Sequence, residues 1–166
     1  MSPLLQQALH TRAGRLGLAR SVWGLAALTV PGRVATLLPG ARDDRFTRSI
    51  GRVLGARHLA QAVLSGPDPT PSVQAMGVWV DGAHAASTLV PVLTGRPFGA
   101  PAHRWAALVD GGIAATWAYV GWRGLPVQTG EPAGGFRADA ARVLLCRLPG
   151  GRLLLRRAGL PTGSAS

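Results

Sequence analysis

An acid and an imidazole lie three residues apart in the middle of a long apolar stretch, residues 73–94. They are Asp81 and His84. Residues at this spacing share one face of an α-helix, so the sequence predicts that the two side chains lie close together. Such a pair can hydrogen-bond, exchange a proton or contribute to a metal site. One carboxylate and one imidazole are a weak metal signature, so we favour a hydrogen bond from His84 to a neighbouring helix.

A basic partner for the acid lies in the preceding apolar stretch, residues 49–65. Arg57 is eight residues before the end of that stretch, and Asp81 is eight residues after the start of 73–94. If the two stretches are antiparallel neighbours, the two charges lie at the same depth. The sequence therefore predicts an ion pair between Arg57 and Asp81.

The same argument predicts a second ion pair on the opposite side, between Arg52 and Asp110, which lie near the starts of their segments. His58, Gln61 and His84 would extend the first pair into a network. Two interpretations stay open. In the first, the pairs hold helices in register, each charge offsetting the desolvation of the other. In the second, the network is a site for a proton, an ion or a small substrate.

The complete candidate network has seven members, Arg52, Arg57, His58, Gln61, Asp81, His84 and Asp110. None is assigned a catalytic role, because we find no nucleophile–base–acid pattern, no phosphate-binding glycine loop and no zinc spacing. The single cysteine, Cys146, excludes an intramolecular disulfide. We therefore expect a protein that is not an enzyme and that carries no metal and no cofactor.

Four apolar segments must position these side chains. About 20 apolar residues in a helix cross a hydrocarbon core of roughly 30 Å. The expected fold is thus an all-α, polytopic transmembrane bundle of about four helices, with a flexible basic C-terminal tail. The predicted helices cover residues 15–38, 49–65, 73–94 and 104–122. Whether the first spans stays open, because Pro31 interrupts it.

The expected domain boundaries follow from these segments. Residues 1–13 form an N-terminal segment, and residues 14–122 form the bundle. Residues 123–166 are rich in proline, glycine and arginine, and we expect them to be largely disordered or interfacial.

The chain of 166 residues carries a net charge of +11, and all 18 of its basic residues are arginine. A basic excess points to nucleic acid, to an anionic membrane surface or to the cytoplasmic loops of a membrane protein. Here the arginines flank apolar segments and crowd the C-terminal tail, and they form no single basic–aromatic face. We therefore expect the lipid bilayer as the partner, together with a second copy or a membrane protein. Nucleic acid is the less favoured partner.

Two motifs resemble those of small, uncharacterised integral membrane proteins common in actinobacteria. They are RVLGARHLAQ (52–61) and VDGAHAAS (80–87). The resemblance covers roughly residues 12–122 and implies about four transmembrane helices with no assigned activity. The tail after Arg123 departs from it.

Three functions follow from these observations. The first is a structural or accessory multi-pass protein of the cell membrane with a polar interior. The second is a small transporter or proton-linked carrier that uses Arg57, Asp81 and His84. The third is a peripheral basic protein that binds anionic lipid or nucleic acid.

Overall fold

Proline marks the start of three of the helices. In the computed structural model, residues 6, 10–37, 43–66, 68–94, 101–125 and 135–162 are described. Within them lie seven helices, α1 (Arg12–Thr29), α2 (Pro31–Leu37), α3 (Arg45–Ser65), α4 (Pro71–Thr94), α5 (Pro101–Arg123), α6 (Phe136–Arg147) and α7 (Gly151–Arg157). Because proline lacks an N–H and has a helical φ, it suits the first helical position, which it occupies in α2, α4 and α5.

Side chains cap two other helices. Thr11 Oγ1 accepts a hydrogen bond from the backbone N–H of Gly14 at the start of α1. Asp44 Oδ1 does the same for Thr47 at the start of α3, at 2.7 Å. Each bond satisfies one of the N–H groups that a helix start leaves without an intrahelical partner.

The C-terminal part of the chain turns twice at glycine. Gly150 (φ 75°) lies between α6 and α7, and Gly159 (φ 72°) follows α7. After α7, the N–H of Leu160 donates to Leu155 O and the N–H of Gly159 donates to Arg156 O. These two bonds define a Schellman motif, which needs a left-handed residue where Gly159 lies.

The chain divides into two compact units. The first contains residues 1–17, 64–81 and 117–166, and the second contains residues 18–63 and 82–116. The helices α1, α3, α4 and α5 contribute residues to both.

The core of the first unit joins the start of α4 to the C-terminal helices. Its buried members are apolar: Ala75, Val78, Leu125, Leu145, Leu154, Leu155, Ala158 and Leu160. Side chains of α4 also bond to the backbone around them. Ser72 Oγ donates to Ala138 O, Gln74 Nε2 to Gly124 O, and Trp79 Nε1 to Pro149 O. These contacts hold residues 136–160 in a folded unit.

In the second unit, α1 and α3 cross at two glycines. A Cβ atom added to Gly55 would lie 2.7 Å from Gly24 O and 2.7 Å from Leu28 N. Only a residue without a side chain allows the two backbones to approach so closely.

An exposed ion pair precedes the crossing, at the start of α3. Arg48 Nε lies 2.6 Å from Asp43 Oδ1. The hydrogen bond from Arg48 lowers the pKa of Asp43, and the same bond raises the pKa of Arg48.

The predicted transmembrane bundle is wrong. Among the described residues, no helix combines the length and the hydropathy that crossing a membrane requires. The longest, α4, has 24 residues and is about 36 Å long. The length of α4 is therefore sufficient to cross a membrane, and its hydropathy is what falls short. Gln74, Asp81 and His84 lower its mean hydropathy, and its many alanines and glycines raise it little.

Three further expectations are corrected with it. Multi-pass localisation in the cell membrane is wrong, because it depends on the same helices. The count of four helices is wrong, since the described residues contain seven. A flexible tail is wrong for the described part of 123–166, because residues 136–147 and 151–157 form α6 and α7 with buried leucines; residues 126–134 and 163–166 lie outside the described residues. The boundaries 1–13, 14–122 and 123–166 stay a prediction, since a compact unit is not an independently folding domain.

Candidate functional site

The seven residues of the predicted network lie on three helices. Helix α3 carries Arg52, Arg57, His58 and Gln61, helix α4 carries Asp81 and His84, and helix α5 carries Asp110. Asp81 is fully buried and belongs to the first unit. The other six belong to the second unit.

The structure brings two of these residues into direct contact. His84 Nε2 lies 2.7 Å from Asp110 Oδ2, which joins α4 to α5. Their side chains are 20% and 23% exposed. A helix-to-helix hydrogen bond of His84 was the role that the sequence favoured, and it is observed here.

Close packing of α4 on α5 sets the register of this pair. A Cβ atom at Gly111 would overlap Thr88 Oγ1, so α5 needs a glycine beside Thr88. Thr88 itself is buried, and its hydroxyl donates to Ala85 O at 2.7 Å. Because Thr88 follows His84 by one helical turn and Gly111 follows Asp110 directly, this contact places the imidazole beside the carboxylate.

The two predicted ion pairs would join residues of α3 to residues of α4 and α5. The contact described for Asp110 is with His84, and Arg52 is exposed on α3. Arg57 is half-buried and Asp81 is buried, but they belong to different units. Both pairs therefore stay predictions.

The buried side of α3 carries polar residues. His58 is 3% exposed and Gln61 is 9% exposed. His58 packs beside the glycine crossing, since its Cβ would lie 3.0 Å from a Cβ at Gly24. Packing explains the burial of His58 without a ligand. His58 and Gln61 thus lie on the buried side of α3 together with Gly55.

The chemistry open to the His84–Asp110 pair is that of a hydrogen-bonded imidazole and carboxylate. When His84 is protonated the pair is an ion pair. When His84 is neutral, the bond to Asp110 fixes which ring nitrogen carries the hydrogen. In the part of the chain that the structure describes, no three His, Cys, Asp or Glu side chains cluster in a way that could hold a metal ion. We interpret the pair as a link between α4 and α5.

A second group of charged residues was not recognised as a candidate site from the sequence. Six arginines and one aspartate lie between Phe136 and Arg157, a net charge of +5 within α6, α7 and their turn. We call α6 and α7 together the arginine helix pair. Its arginines are Arg137, Arg142, Arg147, Arg152, Arg156 and Arg157. All but Arg142 and Arg157, which are half-buried, are exposed.

Buried leucines position these arginines. Leu145 and Leu155 are both fully buried in the core of the first unit. Two arginines also contact their surroundings. The guanidinium carbon of Arg157 lies 5.9 Å from the centroid of the Trp122 ring, and Arg152 Nε donates to Cys146 O at 3.3 Å. The charge is thus presented on an ordered surface rather than on a loose tail.

The arginines do not gather on one side of α6. Arg137, Arg142 and Arg147 recur at intervals of five residues. Each interval turns by about 140° around a helix of 3.6 residues per turn. Arg137 and Arg142 flank the buried side formed by Ala138, Ala141 and Leu145, and Arg147 lies opposite to it.

Comparison with known proteins adds no functional information. No protein-family model, curated protein or solved structure matches the chain. The resemblance to actinobacterial membrane proteins therefore stays a prediction, and the transmembrane helices that it implies are not found among the described residues.

Proposed function

We propose that this protein binds nucleic acid through the phosphate contacts of the arginine helix pair. The observation that carries the proposal is the combination of charge and order. Arg147 and Arg156 are exposed on helices that bury Leu145, Leu154 and Leu155 in the core of the first unit. Guanidinium groups bind phosphates with two parallel hydrogen bonds, and a fixed scaffold lowers the entropy lost on binding.

Two of the competing functions require helices that cross a membrane. A structural membrane protein and a transporter both depend on helices that span a bilayer, and the described residues contain none. The net charge of +11 then needs another explanation. Phosphate contacts dominate the affinity of proteins for nucleic acid, and a basic surface supplies them.

The distribution of charge around α6 favours a polyanion over a lipid surface. A helix that lies on a membrane separates its charged and apolar sides. On α6, Arg147 instead lies between Val143 and Leu144, which are 52% and 51% exposed. Its arginines point in three directions, so a flexible strand can contact more of them than a flat surface can.

Binding of fluorescently labelled nucleic acid tests the proposal. The double variant Arg147→Gln/Arg156→Gln removes two exposed charges from the arginine helix pair. We expect it to weaken binding of both single-stranded RNA and duplex DNA by about tenfold at moderate salt. Anisotropy titrations of the full chain measure the effect, and far-UV circular dichroism checks that the variant is folded.

A matched control removes the same charge elsewhere. Arg45 and Arg52 are exposed on α3 in the second unit. The variant Arg45→Gln/Arg52→Gln should keep most of the affinity. An equal loss in both double variants would show that only net charge matters and would contradict the proposal. Binding to anionic vesicles without binding to either nucleic acid would contradict it as well.

A further inference from the structure

A small cavity in the first unit opens where α4 and α6 begin. Its volume is about 200 Å³. Four polar residues are among those that line it, Ser65, Asp68, Thr70 and Arg137. Pockets for drug-sized ligands measure roughly 300–1,000 Å³. This cavity therefore fits part of a nucleotide, such as a sugar with its phosphate, rather than a complete one.

An aromatic ring stands at the edge of this cavity. Phe136 is the first residue of α6, lines the cavity and is 86% exposed. That fraction is the highest of the exposed large apolar side chains among the described residues. A ring this exposed contributes little to the core. It offers instead a flat apolar surface on which a base can stack.

A cation follows this ring in the chain. Arg137 also lines the cavity, and its Nη1 donates to Leu64 O at 3.0 Å. A guanidinium carries five N–H donors in a planar fork. One bond to a carbonyl leaves other donors that can reach a phosphate bound in the cavity.

The carboxylate narrows the class of ligand. Asp68 is exposed and lies in the same cavity as Arg137. It would repel a bare phosphate, but it can accept a hydrogen bond from a sugar hydroxyl. The ribose 2′-hydroxyl is the group that lets a protein distinguish RNA from DNA. A cation, an acid and an exposed aromatic residue that line one cavity suit the phosphate, the ribose and the base of one ribonucleotide unit.

We propose that this cavity seats one ribose-phosphate unit of single-stranded RNA, with its base stacked on Phe136, its phosphate on Arg137 and its 2′-hydroxyl on Asp68. The inference rests on the proposed nucleic-acid binding and goes further by naming the strand type and the sugar. Duplexes hold their bases in the stack, so they cannot use the Phe136 ring in this way.

Two pairs of variants test the inference, with labelled single-stranded RNA and single-stranded DNA of the same mixed sequence. Phe136→Ala should weaken binding of both strands by at least about fivefold, the effect of losing one base–aromatic stack. Tyr119→Ala is the matched control, because Tyr119 is 62% exposed and does not line the cavity. It should leave both affinities nearly unchanged.

The second pair addresses the sugar. Wild-type protein should bind RNA more tightly than DNA, and Asp68→Ala, which removes the acceptor oxygens, should remove this preference. Asp139→Ala removes the same charge from an exposed position on α6 outside the cavity, so it should raise both affinities and keep their ratio. The ratio is the useful readout, since a change of net charge alone does not alter it.

The outcomes separate the inference from the proposed function. If wild-type protein binds neither single strand and does not bind duplex DNA, the proposed function fails and the inference fails with it; if it binds duplex DNA alone, only the inference is overturned. If it binds RNA and DNA equally, and Phe136→Ala behaves like Tyr119→Ala, only the inference is overturned.

Discussion

Replacing Gly55 with alanine is expected to destabilise the protein, because the new methyl group would meet backbone on the neighbouring helix. The Cβ atom would lie 2.7 Å from Gly24 O and from Leu28 N. Carbon atoms normally approach such neighbours to about 3.5 Å, so α1 and α3 must separate by nearly 1 Å. Neither contacting atom belongs to a side chain that can rotate away.

The magnitude follows from two opposing effects. Overpacking a well-packed site costs about 1–3 kcal/mol, and the upper end applies where backbone must move. Alanine in place of glycine recovers about 1 kcal/mol through helix propensity. We expect Gly55→Ala to lower the free energy of unfolding by about 1–2 kcal/mol, which lowers Tm by roughly 2–8 °C in a chain of this size.

A second glycine supplies the matched control. Gly112 lies inside α5, and no heavy atom would lie within 4 Å of an added Cβ. Gly112→Ala should therefore keep only the gain in propensity and stabilise the protein by about 0.5–1 kcal/mol. Urea unfolding followed by circular dichroism measures both variants. If Gly55→Ala proved as stable as Gly112→Ala, the close crossing of α1 and α3 would be refuted.

Three further predictions address other parts of the molecule. Leu145→Ala should cost about 2–5 kcal/mol in urea unfolding, since the side chain is fully buried, and a value near zero would mean that the C-terminal helices are not packed on α4. Alanine variants of His84 and Asp110 should show a coupling of about 1 kcal/mol in a double-mutant cycle, whereas additive effects would rule out the bond between them. The hydrogen bond from Arg48 lowers the pKa of Asp43 in the folded protein. The stabilisation that this ion pair gives is therefore complete above pH 3.8, the ordinary pKa of the carboxyl group, and is lost as the pH falls through the lowered pKa of the folded state. Asp43→Asn should therefore reduce stability at neutral pH, and the difference from wild type should vanish in strong acid; a difference that persisted there would contradict this origin.

The positions of the long helices could be predicted from the sequence. Segments 49–65, 73–94 and 104–122 lie within a few residues of α3, α4 and α5. Loops rich in proline and glycine separate them, and such loops are local signals. Their interpretation as transmembrane helices was wrong, because length was weighed more heavily than the polar residues within each segment.

The C-terminal helices could not be predicted from local pattern alone. Each is short, and a short basic helix gains its stability from packing on a distant part of the chain. Leu145 is buried against a core that includes Ala75 and Val78, some 70 residues earlier in the sequence. One local signal was present, however. The run Ala158-Gly159-Leu160-Pro161 has the composition of a helix stop with a Schellman motif.

The contacts of the candidate site residues could not be predicted from local pattern either. Spacing alone placed Asp81 and His84 on one helix, but it could not choose their partners. The pairing of His84 with Asp110 depends on the register of α4 against α5, which the contact between Thr88 and Gly111 sets. Register between helices is a property of packing, and a single helix does not encode it.

The salt dependence of RNA binding tests the central claim most directly. For single strands, each phosphate contact contributes about 0.7 to the slope of log affinity against log salt concentration. The account predicts that Arg147→Gln/Arg156→Gln makes this negative slope shallower by about 1.4, the contribution of two phosphate contacts, while Arg45→Gln/Arg52→Gln leaves it nearly unchanged. Equal slopes for wild type and Arg147→Gln/Arg156→Gln would show that these arginines contact no phosphate and would contradict the account.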